Sequence, residues 1–500
     1  MPAGGDAGTL GDSILTRARP LLAARLAGAL VAVAVPMVLA RVLVPASYGT
    51  FKQAFLVSQT LALVLPMGLT QSLYYFVPRE PSARDHFVAV TLWSHAALGA
   101  FAAALLLAGA PLVHAQFKNP ELDATLPWVA AFTGLQLAGA PLDIAWNAAG
   151  RVRAAALVRV GTEVARAAAI VVAALAGGTV EAVFAGIAAA MAARLAWTWA
   201  ALARGHGLRA TADALRRQVA YALPFGLAFL LLVPQQQFHQ YAVGAAVTSA
   251  AFAVYSVGTF QLPFVDILYT PVSELLQIGI AESDGAGRPP RAALPLFHEA
   301  VGQLAFAFVP LTGLAVVVAP PLIELLFSPR YLGAVPIFRV AVLLTLMAAL
   351  PLDGVMRARA QNRYMLALSA LKLGITVPLV LGGLRTFGPL GALVGWLTAE
   401  AATRALMLAR AARLLGTSMR RVLPMAVLGR QVAATAFAMP VSWLALHALD
   451  APGIVRLALG GSAFAAAYLG LSAWRGWLPA AWVSLFRARA PRAAAAPSEP

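Results

Sequence analysis

Residues 300–319 read AVGQLAFAFVPLTGLAVVVA, a stretch that contains no charged side chain. An α-helix rises about 1.5 Å per residue, so a run of this length spans the roughly 30 Å hydrocarbon core of a bilayer. In hydrocarbon, backbone polar groups must bond within the protein, which leaves only α-helices and closed barrels. The run lacks the two-residue alternation of a barrel strand and therefore predicts a transmembrane helix.

Similar apolar runs recur along the whole chain, which is 61% hydrophobic and 11% charged. Soluble proteins contain about 25% charged residues, so lipid is the expected solvent here. We predict an all-α polytopic membrane protein with about fourteen transmembrane helices. The predicted spans are 21–44, 52–77, 87–110, 125–146, 154–176 and 182–203, then 219–241, 250–281, 300–319, 336–355, 365–384 and 390–411, and finally 432–449 and 454–473.

Short motifs repeat between the two predicted sets of six helices. Pro141-Leu-Asp143 recurs as Pro351-Leu-Asp353, and the same spacing pairs Arg194 with Arg404. Because six is even, both sets enter the membrane from the same side, which predicts two lobes related by a pseudo-twofold axis, as in transporters. The predicted domains are an N-terminal lobe at 1–203, a cytoplasmic linker at 204–218, a C-terminal lobe at 219–411, an added helix pair at 412–475 and a disordered cytoplasmic tail at 476–500.

Basic residues concentrate in alternate loops. With the N-terminus inside, the inner loops and tails hold about 24 Arg and Lys residues and the outer loops about 7, as the positive-inside rule expects. This predicts a multi-pass membrane protein with both termini in the cytoplasm, and the family resemblance described below implies the bacterial inner membrane. The net charge of +17 does not cluster on one soluble domain, so we expect no nucleic-acid partner.

The sequence lacks the usual signatures of catalytic and metal sites. It contains no cysteine, which excludes disulfides, thiolate metal ligands and cysteine nucleophiles. It also shows no P-loop, metal-ligand spacing or catalytic triad, and its outer loops are too short to form a catalytic domain. We therefore expect a transporter rather than an enzyme, with no catalytic residue, metal or cofactor.

Charged residues inside predicted spans cost free energy in hydrocarbon, so each is expected to have a partner or a function. A spacing of three or four residues brings opposite charges together on one helix face, which predicts structural ion pairs. The predicted groups are Arg159, Glu163 and Arg166; Asp353 and Arg357; and Glu400 and Arg404.

Arg25 lies about one turn inside the first predicted helix. Two interpretations stay open for its guanidinium. It reaches back to the inner headgroups, or it lines a cavity that binds an anionic substrate. The second interpretation makes Arg25 a candidate substrate-binding residue.

Asp266 and Glu274 lie eight residues apart in the eighth predicted helix and share nearly one face. Pro263 and Pro271 weaken the helix around them because each removes a backbone donor. A charged acid is costly at this depth, so protonation or cation binding is favoured, which makes both residues candidates for ion coupling. The competing interpretation is a static ion pair with Arg25 or Lys372 on another helix.

Two polar segments could bind sugar hydroxyl groups. Residues 235–241 read QQQFHQY at the end of the seventh predicted helix, and these polar side chains cannot all face lipid. Gln71, Tyr74 and Tyr75 on the second helix form a similar, weaker candidate. The competing interpretation is solvation at the membrane interface. The candidate substrate-binding residues are Gln71, Tyr74, Gln235, Gln236, His239 and Gln240.

Four runs identify a family resemblance: RVLVPASYGTF at 41–51, SLYYFVPR at 72–79, YALPFG at 221–226 and IELLFSPRY at 323–331. They resemble the polysaccharide transporter family of bacterial lipid-linked oligosaccharide flippases, which shares a superfamily with the multidrug and toxin extruders. The resemblance implies a flippase that moves undecaprenyl-pyrophosphate-linked glycans, as precursors of polysaccharide, O-antigen or capsule, to the outer leaflet. The implied partners are the lipid-linked glycan, membrane lipids, and glycan polymerase and assembly proteins.

Three alternatives remain beside the flippase. A cation-coupled multidrug extruder belongs to the same superfamily, but the added helix pair and the cationic first lobe favour the flippase. A membrane-embedded glycan polymerase or glycosyltransferase would need a large outer loop with catalytic acids, which the sequence lacks. A scaffold for a glycan assembly complex is compatible with the sequence.

The charge asymmetry generates a testable topology. Reporter fusions at Gly178 and Thr248 should read outside, and a fusion at Gly207 should read inside, because Arg and Lys retain loops in the cytoplasm. Paired phosphatase and fluorescent-protein fusions measure this directly. The opposite pattern would refute the predicted orientation.

Overall fold

The computed structural model describes Gly28, Val31 and residues 33–261, 264–448 and 451–479. The described residues form helices and loops and contain no β-strand. The helices are α1 (Val33–Val42), α2 (Pro45–Val64), α3 (Ser72–Arg79), α4 (Arg84–Ala108), α5 (Ala110–Phe117), α6 (Pro120–Ala138), α7 (Pro141–Ala148), α8 (Val152–Gly177), α9 (Val180–His206), α10 (Ala212–Ala246), α11 (Ser249–Gly258), α12 (Phe264–Gly285), α13 (Leu294–Leu326), α14 (Val335–Ala341), α15 (Leu343–Met347), α16 (Leu352–Ala358), α17 (Asn362–Leu414), α18 (Met425–His447) and α19 (Gly453–Trp474).

Within the described ranges, seven helical segments are each long and apolar enough to cross a bilayer, and α2 with α3, bent by 45°, makes an eighth. Two of the predicted spans are divided into shorter helices. The span 125–146 falls on α6 and α7, which separate just before Pro141, and the span 336–355 falls on α14, α15 and α16. The predicted all-α polytopic membrane fold is confirmed. The first span, 21–44, is described at Gly28, at Val31 and from Val33 onward, and this part contains α1.

Helix α17 contains two antiparallel arms that match the predicted spans 365–384 and 390–411. Gly388 has non-helical backbone angles with φ 63°, which turns the chain. A Cβ atom on Gly383 would lie 2.1 Å from the Gly391 carbonyl oxygen, and one on Gly395 would lie 2.3 Å from that of Leu379. Glycine therefore permits the close backbone contact that joins the arms.

The chain packs into two compact units. Unit 1 comprises residues up to Val257 together with Leu368–Trp396, and unit 2 comprises Gly258–Ala367 with the chain from Leu397 onward. In unit 2, α18 and α19 pack against each other and against α13. The predicted lobes at 1–203 and 219–411 are defined by an internal repeat rather than by packing, and they stay a prediction.

A bend between α2 and α3 sets the direction of α3 within unit 1. Pro66 precedes Met67 and Gly68, whose φ angles are 45° and 74°. Glycine adopts such angles readily, whereas methionine is strained in them. The bend gives α3 its own orientation and so determines which of its side chains are exposed.

Candidate functional site

The polar segment of α10 at 235–241 presents three separate faces. On the first, Gln235 and His239 are buried, with 2% and 4% of their surface exposed. The Nδ1 atom of His239 lies 2.6 Å from the hydroxyl oxygen of Tyr255, and the Trp396 indole donates a 2.8 Å hydrogen bond to the backbone carbonyl of Gln235. The structure therefore encloses Gln235 and His239 among protein partners, away from any accessible surface.

The second face of the segment contacts α2. The hydroxyl of Thr60 lies 2.8 Å from that of Tyr241 and also donates to the side chain of Gln237. Gln116 of α5 donates a 2.9 Å hydrogen bond to the backbone carbonyl of Tyr241. These bonds satisfy polar groups that would be costly in hydrocarbon, and they join α10 to α2 and α5.

The third face carries the accessible polar groups. Gln236 is exposed and Gln240, one turn later, is half-buried. Of the four candidate residues on α10, these two are placed where a ligand could reach them. The division follows helical periodicity, because residues 235 and 239 share one face and residues 236 and 240 share the next.

Helix α3 exposes a polar and aromatic stripe made of Gln71, just before its start, and Tyr74, Tyr75 and Arg79. Its opposite face, which includes Leu73 and Phe76, is buried in unit 1. The candidates Gln71, Tyr74 and Tyr75 therefore share an accessible surface with Arg79, which the sequence analysis did not select. Spacings of three and four residues place these side chains on neighbouring parts of one helix face, and this was the sequence signal that could have identified the stripe.

An ion network stabilises the inner part of unit 1. Asp143, at the start of α7, accepts a 2.9 Å bond from Arg194 of α9 and a 3.2 Å bond from Arg159 of α8. Arg166 pairs with Glu163. The predicted ladder on α8 is thus divided, because Arg159 pairs with an acid on another helix and leaves Glu163 to Arg166. The repeat motif around Asp143 was the sequence signal for this partner.

Unit 2 contains a related set of charges. Arg404 donates a 2.6 Å hydrogen bond to Glu400 on its own helix and a 2.8 Å bond to the carbonyl of Met347. Arg357 pairs with Asp353. These are the pairs that the three- and four-residue spacings predict.

The two repeat arginines play parallel roles. Arg194 donates a 3.2 Å bond to the carbonyl of Gly139, and Arg404 donates to that of Met347. Both carbonyls lie just before a Pro-Leu-Asp motif, where a helix ends and its last carbonyls lack helical partners. Each arginine therefore satisfies backbone groups at an equivalent break.

The acids proposed for ion coupling lie on α12 in unit 2. Asp266 and Glu274 are both exposed. One turn after Asp266, the Tyr269 hydroxyl donates a hydrogen bond to Asp353, and Ser273 donates to the same carboxylate at 3.3 Å. The structure thus places Asp266 beside the Tyr269–Asp353 pair, while Glu274 lies two turns away.

Two further predictions concern Arg25 and metal binding. Arg25 lies outside the described residues. Within residues 33–261, 264–448 and 451–479, no group of three or more His, Asp or Glu side chains is arranged to hold a metal ion.

The burial of Arg194 generates a stability prediction. Arg194 has 9% of its side chain exposed, so Asp143→Asn would leave a buried guanidinium without its counter-charge and should destabilise the protein by about 3 kcal/mol. Asp213→Asn, at an acid whose side chain is 78% exposed, is the matched control and should leave the unfolding midpoint unchanged. Thermal unfolding in detergent measures both. Equal midpoints for the two variants would contradict a stabilising role for the network.

Comparison with known proteins gives one family match and several structural matches. A family model described as "Polysaccharide biosynthesis protein" matches residues 38–336. The lipid II flippase MurJ in an inward closed conformation is 11% identical, with a TM-score of 0.68 over 92% of this chain and 99% of that one. No curated protein matches the sequence.

Two multidrug transporters are also similar in structure. An inward-facing multidrug resistance MATE family transporter of the MOP superfamily is 16% identical, with a TM-score of 0.55 over 79% of this chain and 96% of that one. A mutant of the Vibrio cholerae MATE transporter VcmN is 16% identical, with a TM-score of 0.51 over 82% of this chain and 99% of that one. At sequence identities of 11% and 16%, the structural similarity establishes a shared fold.

Proposed function

Because the chain belongs to the polysaccharide biosynthesis protein family, we propose that it is a flippase for undecaprenyl-pyrophosphate-linked oligosaccharide. It would move this precursor of polysaccharide, O-antigen or capsule across the bacterial inner membrane by alternating access. The multi-pass helical fold, whose polar side chains are exposed on membrane-spanning elements, supports this proposal. The alternative within the same fold is a cation-coupled multidrug extruder.

One observation favours the flippase over the extruder. The match to MurJ covers 92% of this chain, whereas the two MATE transporters cover 79% and 82%. Helices α18 and α19 follow the two predicted six-helix sets in this chain. An architecture that retains the added pair therefore supports a flippase.

The proposed substrate contacts follow from the chemistry of the glycan lipid. Sugar hydroxyl groups both donate and accept hydrogen bonds, and the amides of Gln236 and Gln240 offer both functions on one helix face. The pyrophosphate needs a cationic partner, a role that we propose for Arg25. Gln235 and His239 would instead support the site by fixing α10 against Tyr255 and Trp396.

A translocation assay tests the function. Proteoliposomes with the purified protein and a lipid-linked oligosaccharide should move the glycan to the opposite leaflet, where a lectin detects it. Gln236→Ala should slow this movement by about tenfold because it removes a hydrogen bond to substrate, while thermal stability stays unchanged. His239→Ala should lower thermal stability, because it removes the Tyr255 contact. Efflux of a cationic dye without glycan movement would favour the extruder and contradict the flippase.

We also propose that Asp266, supported by Glu274, couples transport to an ion gradient. A charged carboxylate on a membrane-spanning helix is costly, so a bound proton or cation favours one state and its release favours the other. Pro271 lies in the same helix and removes a backbone hydrogen bond, which makes bending easier. The Tyr269–Asp353–Arg357 contacts would respond to the changed charge, because Tyr269 lies one helical turn after Asp266.

The coupling proposal has its own test. Asp266→Asn should fold and bind glycan lipid yet transport at the same rate with or without an imposed proton or sodium gradient, since the exchangeable charge is gone. Asp213→Asn, at an exposed acid of α10, should retain the gradient response. Survival of that response in the double variant Asp266→Asn, Glu274→Gln would remove both acids from the mechanism.

A further inference from the structure

The exposed stripe of α3 combines three kinds of group that seldom share one short helix face in a membrane protein. Tyr74 and Tyr75 are 40% and 36% exposed, Arg79 follows one turn later, and Gln71 precedes them. The buried side of the same helix contains Leu73, Phe76 and Val77, so its orientation is fixed by packing. The stripe is therefore held in place as an accessible surface.

Neighbouring helices of unit 1 flank this stripe on two sides. On one side, the Asn147 amide of α7 donates a 3.0 Å hydrogen bond to the Tyr74 hydroxyl. On the other, the Tyr221 ring of α10 lies 4.7 Å from the Tyr75 ring, measured between centroids. We call this surface the α3 groove, with Gln71, Tyr74, Tyr75 and Arg79 as its floor and Asn147 and Tyr221 as its sides.

The guanidinium of Arg79 lies over the Tyr75 ring of the groove floor. Its guanidinium carbon is 3.8 Å from the centroid of the Tyr75 ring. Stacking uses the face of the guanidinium, while its N–H donors point outward in the plane of the group. This orientation suits a bidentate bond to a phosphate oxygen pair, because the planar fork matches phosphate geometry.

The tyrosines suit a sugar ring. The face of a pyranose carries C–H groups that pack on an aromatic ring, and its rim carries hydroxyl groups that bond to amides and phenols. Tyr74 offers an exposed ring beside the Asn147 amide, and Gln71 offers a second amide one turn away. A diphosphate at Arg79 and a sugar over Tyr74 would thus be recognised together.

Tyrosine and arginine also occur where helices meet the lipid headgroups. In that setting the phenol points toward water and the long cation reaches the interface separately. Here the Tyr74 hydroxyl is bonded to Asn147, and Tyr75 is held between Arg79 and Tyr221. Such ordering of side chains by other protein groups is what a ligand site requires, and a headgroup interface does not need it.

We propose that the α3 groove is a loading site that binds the first sugar and the diphosphate of the glycan lipid. This assignment rests on the proposed flippase function and on the predicted cytoplasmic position of the loop that follows Arg79. It adds three residues to the candidate substrate contacts, namely Arg79, Asn147 and Tyr221. It also gives the site a chemical selectivity: Tyr74 recognises the sugar, and Arg79 recognises the diphosphate.

Binding of two lipids to the purified full-length protein in detergent separates these roles. The probes are undecaprenyl diphosphate and the same lipid carrying a neutral disaccharide, with the Kd of each measured by thermophoresis. The wild type should bind the disaccharide lipid about tenfold more tightly, because aromatic stacking and a hydrogen bond are added. Tyr74→Leu should abolish that preference, and Tyr74→Phe, which retains the ring, should keep most of it.

Charge variants test the other half of the site. Arg79→Gln should weaken binding of both lipids by a similar factor, since both contain the diphosphate. Arg420→Gln removes an exposed arginine that is also predicted to face the cytoplasm, and it should leave both Kd values unchanged. If Tyr74→Leu fails to fold, Asn147→Leu at an exposed position takes its place and should reduce the sugar preference.

Several outcomes would contradict the proposal that the α3 groove binds the glycan lipid. A sugar preference that persists in Tyr74→Leu and Asn147→Leu would refute sugar binding there. Equal weakening by Arg79→Gln and Arg420→Gln would indicate general attraction of anionic lipid to a basic surface. If variants that lack the sugar preference still translocate glycan, the proposed site in the α3 groove is refuted and the flippase function is not. If the wild type binds neither lipid, the flippase function is contradicted as well.

Discussion

The structure depends on one constraint, the cost of an unpaired polar or charged group in hydrocarbon. Backbone groups meet it by forming helices, and the few charged side chains meet it through partners. Arg194 shows how strongly it acts, because this buried guanidinium bonds to Asp143, to the Thr162 hydroxyl and to two backbone carbonyls. A cation so fully bonded stabilises the helices that supply its partners.

The same constraint explains why the helix breaks coincide with the ion pairs. A proline break leaves carbonyl groups without helical donors, and lipid cannot replace them. Arg194 satisfies Gly139 in unit 1, and Arg404 satisfies Met347 in unit 2. Two arginines that occupy matching places in the repeat thus solve the same physical problem, which agrees with duplication of a six-helix element. The breaks permit bending, and the arginines limit it.

Polar groups that are not needed for stability are the ones available for function. On α10, Gln235, Gln237, His239 and Tyr241 have protein partners, whereas Gln236 is exposed. On α3, exposed tyrosines and Arg79 are ordered by Asn147 and Tyr221 instead of being buried with them. The α10 surface carries amides, whereas the α3 surface carries an amide, two phenol rings and a cation.

Apolar runs of about twenty residues, such as 300–319, determined the helical membrane fold because few other structures satisfy a backbone in lipid. Spacings of three and four residues likewise determined the pairs Glu163–Arg166, Asp353–Arg357 and Glu400–Arg404, since these distances lie within one helix. Tertiary structure decided what depends on contact between helices. It paired Arg159 with Asp143, enclosed Gln235 and His239, and left Gln236 and the α3 stripe accessible. Helical periodicity specifies which residues share a face, but only packing specifies what that face meets.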